Sequence, residues 1–324
     1  MQRRLFIRLL GCAVVALPRE TSAQAPRALH KLGYIHPRTI ATNHPTLSAL
    51  RAVWLGLGFI EGETVLLRSA EDDPRRVPAL VRELIDLGVG ALIAVGPATV
   101  NAASKATTTV PIVAIDLESD PIRSGLIRSY TKPGGNVTGL FLDQPSMAAK
   151  IIELLQEAAP AIERILITWD PSTGPWQVDA AKAAARAKGV EAVVLEARPR
   201  GGYDEVFGRL ANSRRTGVVQ FGSAGFIIDA ADFVAAAQNY RLPTISNLKV
   251  YARAGVLLTY GPDQVGYFAR AVMIADKILK GEKAGDLPIE RPTKFELVVN
   301  LKTAKALDLI IPPALMVAAD EVIE

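Results

Sequence analysis

From Lys31 onward, short aliphatic and β-branched runs alternate with longer stretches whose apolar residues recur at helical spacing. That alternation marks parallel α/β architecture, in which a crossover helix follows each strand. The first round predicts strands at Leu32–Ile35, Thr64–Ser69, Ala91–Val95 and Ile112–Ile115. Between them lie helices at Pro45–Leu57, Arg75–Leu87 and from Pro97; in the second of these Val77, Leu80, Val81, Leu84 and Ile85 share one face. After Gly134–Gly139 the same grammar restarts, with helices predicted at Ser146–Ala158, Val178–Lys188, Tyr203–Ala211 and Ile228–Tyr240. The strands of this set are Arg164–Thr168, Ala192–Leu195, Gly217–Phe221, Thr244–Ile245 and Val256–Tyr260. A long helix over Asp263–Leu279, a strand at Phe295–Val299 and a short helix from Leu301, stopped by Ile311-Pro312-Pro313, complete the chain. The expected fold is α/β, with two doubly wound parallel-sheet lobes; 324 residues suffice for two such units.

Open parallel sheets bind ligands at the carboxyl ends of their strands, so two of them imply a cleft. The residues just past each strand are therefore the candidates for ligand binding: His36, Pro37, Gly96, Pro97, Ala98, Thr99, Asp116, Leu117, Trp169, Asp170, Phe221, Gly222, Asn247 and Tyr260. Gly96-Pro97-Ala98-Thr99 reads either as a helix start that attracts an anion or as an ordinary strand-to-helix turn capped by Thr99. Asp116 reads either as the partner of a ligand ammonium group or as a loop cap, with Asp120 just beyond it. Trp169 is either a stacking surface at the cleft mouth or a core residue; Phe221, Phe226 and Tyr260 add an aromatic-tolerant character.

The amino terminus carries a different message. Arg3, Arg4 and Arg8 precede the apolar stretch Leu9–Leu17, and small residues follow at Thr21–Ala25, the layout of a signal peptide over residues 1–23 with cleavage after Ala23 or Ala25. The paired arginines suit a twin-arginine or a general secretory route. Removing residues 1–23 takes away four arginines and one glutamate and lowers the net charge from +4 to +1. No basic excess remains to argue for nucleic acid. The single cysteine, Cys12, falls in the discarded segment, and His30, His36 and His44 are the only histidines, so no metal site, disulfide or cofactor is expected. No G-x-G-x-x-G opens a helix after a strand, and neither a P-loop nor a G-x-S-x-G elbow occurs. Asn136-Val137-Thr138 matches a glycosylation pattern, but the Gly134-Gly135 turn beside it explains the asparagine equally well.

Several stretches together resemble the substrate-binding proteins of ABC transporters, of the tryptophan/tyrosine type. They are Val110-Pro111-Ile112-Val113 leading to Asp120-Pro121, Ser124–Ile127, Lys132–Gly139, Lys294–Leu307, and Ile311-Pro312-Pro313 through Ile323. The resemblance implies a type I periplasmic-binding-protein fold whose two lobes are joined by a three-crossover hinge. It places crossovers near Gly139–Gln144, Tyr260–Asp263 and Asp286–Pro292. Lobe 1 is then residues 28–142 and 262–288, and lobe 2 residues 143–261 and 289–324, with the ligand cleft between them. It further implies a non-enzymatic, monomeric receptor in the periplasm that serves an ABC permease in the inner membrane. The chain departs from an amino-acid binder in having Pro97 and Ala98, not serine or threonine, after Gly96. An aromatic acid or another small carboxylate therefore competes with an amino acid as the small-molecule ligand. A sensor of the same fold docking on a membrane receptor is the alternative; an exported enzyme using Asp116, Asp170 or His36 ranks below both.

Overall fold

The computed structural model describes residues 30–39, 45–196, 203–210, 215–222 and 230–324. The expected signal peptide, His44 and Phe226 lie outside the described residues. The chain begins with β1 (Leu32–His36), α1 (Pro45–Gly56), β2 (Val65–Ser69), α2 (Val77–Asp86), β3 (Ala91–Val95), α3 (Pro97–Ala106), β4 (Ile112–Asp116) and β5 (Val137–Phe141). These strands form one parallel sheet in the order β2-β1-β3-β4-β5. β3 and β4 are buried along their whole length, as expected of strands covered on both faces. Successive side chains point to opposite faces, so Ile93, Val113 and Ile115 pack with Leu50 and Trp54 of α1. Leu92, Ala94, Ile112 and Ala114 pack with Val81 and Leu84 of α2 and Val100 of α3 on the other face.

The second lobe comprises α4 (Gln144–Ala158), β6 (Arg164–Trp169), α5 (Trp176–Ala187), β7 (Glu191–Glu196), α6 (Tyr203–Leu210), β8 (Thr216–Gln220), α7 (Ala230–Asn239), β9 (Thr244–Ser246), α8 (Val250–Ala254) and β10 (Leu258–Pro262). After α9 (Gln264–Leu279), which packs on the first sheet, the chain adds β11 (Phe295–Asn300), α10 (Leu301–Ala306), α11 (Pro313–Ala318) and β12 (Glu321–Ile323). The second sheet runs β12-β11-β10-β9-β8-β6-β7. Its two faces are covered by Ile151, Ile152 and Leu155 of α4 with Ala181 of α5, and by Phe207 of α6 with Phe233 of α7.

Four features correct the reading by pattern. The Gly134–Gly139 stretch is a turn only as far as Asn136, after which β5 joins the first sheet beside β4. β11 runs antiparallel to β10, so the second sheet is mixed, not purely parallel. The cause is the route of the chain: it leaves at Pro262, visits the first lobe, and re-enters at the same end, placing Phe295 opposite Pro262. Pro312-Pro313 does not stop a helix; α10 has already ended at Ala306, and Pro313 opens α11 in the position where its missing N–H costs nothing. α8 and β12 are also additions, both too short to show a period.

The chain therefore passes between the lobes three times, at 142–143, at 263 and over 287–294. The first two crossings each end on an aspartate that caps the following helix: Ser146 N donates to Asp143 Oδ1 and Gly266 N to Asp263 Oδ1, both at 3.3 Å. The third crossing supplies Arg291 Nη1, 2.8 Å from Asp143, and Lys294 Nζ, 3.4 Å from Asp263. It is also laid along β5, with Glu290 N donating to Gly139 O and Phe141 N to Glu290 O.

Gly139 makes the close pairing of β5 with β4 possible. Its φ is +133°, and a Cβ there would stand 2.1 Å from Ala114 O of the neighbouring strand. Gly139→Val is expected to destabilise the protein by about 2 kcal/mol or more, from backbone strain and overpacking together. Gly135→Ala, which meets nothing within 4 Å, is expected to stay within about 0.5 kcal/mol of wild type. Urea denaturation midpoints of the two variants check this, and equal midpoints would sink it.

Candidate functional site

The carboxyl ends of the two sheets enclose a cavity of about 410 Å³, inside the range of about 300–1,000 Å³ seen for small-molecule sites. On the first lobe, β1 leads to Tyr34 and to the loop His36-Pro37-Arg38-Thr39, β3 to Gly96, and β4 to Leu117 and Glu118. The first turn of α9 adds Gln264, Tyr267 and Phe268, whose rings lie 4.9 Å apart. The second lobe closes the space with Gln177 from the start of α5, Gly222 past β8, Asn247 and Leu248 past β9, and Val250 of α8. The two lobes also touch through Arg123, whose guanidinium lies 4.6 Å from the ring centroid of Trp176.

Local chemistry explains how each wall is built. Gly96 has φ +79° and ψ 161°, a conformation open only to glycine. This turns β3 directly into α3 and leaves that wall without a side chain. The His36 ring is held by the backbone of Arg38, whose N–H lies 3.2 Å from His36 Nδ1. Arg38 itself is paired with Asp72 at 3.3 Å, so its charge is largely compensated. Asn247 Oδ1 accepts from Gly222 N at 2.6 Å and fixes the two loops of the second lobe against each other.

Asp116 is fully buried, and its Oδ1 accepts the backbone N–H groups of Glu118 and Ser119 at 3.2 and 2.9 Å. That turn presents Glu118, not Asp116, to the cavity. Burial, with the Asp116 carboxylate behind it, pushes Glu118 well above the usual carboxylate range. Burial likewise raises Asp116 and the phenols of Tyr34 and Tyr267. Glu118 is thus an acid held in surroundings that disfavour its charge, a ready partner for a cation that enters with its own compensating charge.

Six of the fourteen residues anticipated from strand ends line the cavity: His36, Pro37, Gly96, Leu117, Gly222 and Asn247. Pro97, Ala98 and Thr99 do not; the Thr99 hydroxyl turns back to donate to Val95 O and Gly96 O at the junction of β3 and α3. Asp116 serves the loop described above. Trp169 Nε1 donates to Gly174 O at 2.8 Å, and Asp170 offers its carbonyl to Thr173, so both build the turn before α5. Phe221 is buried in the core of the second lobe. Tyr260 stacks on Phe295, with centroids 5.5 Å apart, and faces a smaller recess of about 260 Å³ beside the crossings. Tyr34, Glu118, Gln177 and Tyr267 were not anticipated. A signal for Glu118 existed in the acidic loop Asp116-Leu117-Glu118-Ser119-Asp120, and one for Tyr267 in the aromatic pair opening a long helix; Gln177 had none.

Two sheets with facing carboxyl ends, three crossings and a cavity walled by both lobes define a two-lobed binding protein of the type I periplasmic class. Residues 52–323 match the family described as ABC transporter substrate binding protein, and the chain belongs to that family. Its members are binding proteins, not enzymes. Among its relatives is a tyrosine-binding protein of Clostridioides difficile, 24% identical over 277 residues that cover 82% of this chain and 78% of the relative. A conserved domain protein from Vibrio cholerae has the same fold, with a TM-score of 0.80 and 22% identity over 91% of this chain and 99% of that one. So has an ABC domain from Streptococcus pneumoniae solved in complex with L-Trp, with a TM-score of 0.79 and 21% identity over 90% of this chain and 100% of the other. Among the described residues no group of three or more His, Cys, Asp or Glu is placed to hold a metal ion. No described helix is long and apolar enough to cross a membrane.

The weakened acidity of Glu118, caused by its burial and by the neighbouring Asp116 carboxylate, has a consequence for stability. The folded protein holds this proton more tightly than the unfolded chain, whose glutamates titrate near about 4.3. Stability of the ligand-free protein therefore falls as pH rises from that range toward the folded value. Glu118→Gln is expected to raise the denaturation midpoint at neutral pH and to flatten that decline. Asp116 keeps a residual slope of the same sign. Equal pH dependence in variant and wild type would contradict the assignment.

Proposed function

We propose that this chain is the periplasmic receptor of an ABC importer, a monomer that closes on a small organic ligand and presents the closed form to an inner-membrane permease. Nucleic acid has no part in this reading. The observation that carries it is the cavity walled by both lobes, since neither sheet alone would retain a ligand there. Lobe 1, residues 28–142 and 262–288, and lobe 2, residues 143–261 and 289–324, would rotate about the three crossings. Capping of α4 and α9 at those crossings keeps the helices rigid while the few residues between them bend.

The ligand class follows from the wall. Tyr34, Tyr267, Phe268, Leu47 and Leu50 offer an apolar and aromatic bed, and Glu118 offers a carboxyl group that an incoming cation would hold in its charged form. An amino acid with a large side chain meets both, with its ammonium on Glu118, and this agrees in kind with the tyrosine and tryptophan named for the relatives. Residues 1–23 would direct export and be removed. Ligand present at a hundred times its dissociation constant stabilises the folded state by about 2.7 kcal/mol. The purified protein, unfolded and refolded to remove carried-over ligand, is therefore expected to melt several degrees higher with one chemical class from a library of amino acids, aromatic acids, short carboxylates and nucleosides. A flat response across the whole library would refute receptor function for these classes.

A further inference from the structure

We propose that Gln177 is a ligand-binding residue, the second lobe's hydrogen-bonding grip on the ligand, opposite Glu118 on the first. The inference rests on the receptor reading above and deepens it. Gln177 lines the cavity, its side chain is 2% exposed, and its Nε2 is buried without a hydrogen-bond partner. Buried side-chain amides are ordinarily satisfied, because an unpaired donor loses its water and gains nothing in exchange. Val178 and Ala181 on the same helix are plain core residues, so an apolar side chain at 177 would have folded more cheaply. A polar group kept at such a position points to a partner absent from the free protein.

Among the described residues of the second-lobe wall, no other buried side-chain polar atom lacks a hydrogen-bond partner. Asn247 Oδ1 is already occupied by Gly222 N–H, and Leu248 and Val250 are apolar. Gln177 is also the second residue of α5, next to Trp176, which meets Arg123 of the first lobe. The amide thus sits beside a contact between the lobes. A ligand held by both walls would carry a cationic group for Glu118 and, on its other side, an oxygen that accepts from the amide. Aromatic amino acids satisfy both demands; the corresponding amines lack the oxygen and the corresponding acids lack the cation.

The test titrates refolded wild type and Gln177→Leu with L-tryptophan, L-tyrosine, tryptamine and 3-indolepropionate by calorimetry, with melting temperatures of the ligand-free proteins measured alongside. Wild type is expected to bind the amino acids more tightly than tryptamine or 3-indolepropionate. Gln177→Leu is expected to weaken the amino acids about tenfold, to leave tryptamine within about twofold, and to melt no lower than wild type without ligand. An equal loss for tryptamine, or a clear drop in the ligand-free melting temperature, would make the amide a structural group and overturn the proposal. So would unchanged amino-acid affinity in the variant. If wild type ignores all four probes but melts higher with another class in the library, receptor function stands and the two-sided grip proposed here fails. If nothing in the library binds, both fall.

Discussion

Everything at the centre of this molecule depends on where the chain crosses between its lobes. All three crossings lie at the carboxyl ends of the sheets, so those ends must face each other and the loops that follow the strands must share one space. The third crossing binds the other two: Arg291 reaches the cap of α4, Lys294 the cap of α9, and Glu290 pairs with the backbone of β5. The ion pairs are half-exposed, and each contributes modestly to stability. Their value is geometric, because they keep three short segments in register where the chain passes between the lobes.

The cavity wall is polar in only a few places, and each is set up from behind. Asp116 gives up its own access to the cavity to fold the loop that presents Glu118, and the same carboxylate then raises the proton affinity of the glutamate it positions. Asn247 and Gly222 lock each other. His36 is oriented by the backbone of Arg38, and Arg38 is neutralised by Asp72. Among the described wall residues, Glu118 is held where its charge is disfavoured and the amide of Gln177 lacks a hydrogen-bond partner. A binding protein works by such unmet demand, since stability forgone in the open state becomes affinity on closure.

Much of the architecture was legible in the sequence, because the parallel strands are buried on both faces and read as unbroken aliphatic runs such as Ala91–Val95 and Ile112–Ile115. β5 escaped because two glycines and an asparagine precede it and its own Gly139 looks like a turn residue. The close approach of Ala114 O is what requires that glycine. The antiparallel entry of β11 also escaped, since strand direction depends on the route taken by α9 and not on the composition of Phe295–Asn300.

For the site, strand ends located the cleft but not which side chains face it. The position of a residue past a strand follows from alternation only until the chain turns, and after that hydrogen bonds within the loop decide. Asp116, Thr99 and Trp169 turned away because each found a backbone partner nearby; Glu118 and Tyr267 turned in because a neighbouring group or the first turn of a helix aimed them. The sequence by itself determined the α/β class, the two lobes and the rim on which a ligand would sit, since these depend on local periodicity. Which of the rim residues are free to meet a ligand was decided only by the tertiary structure, because that freedom is settled by contacts between segments far apart in the chain.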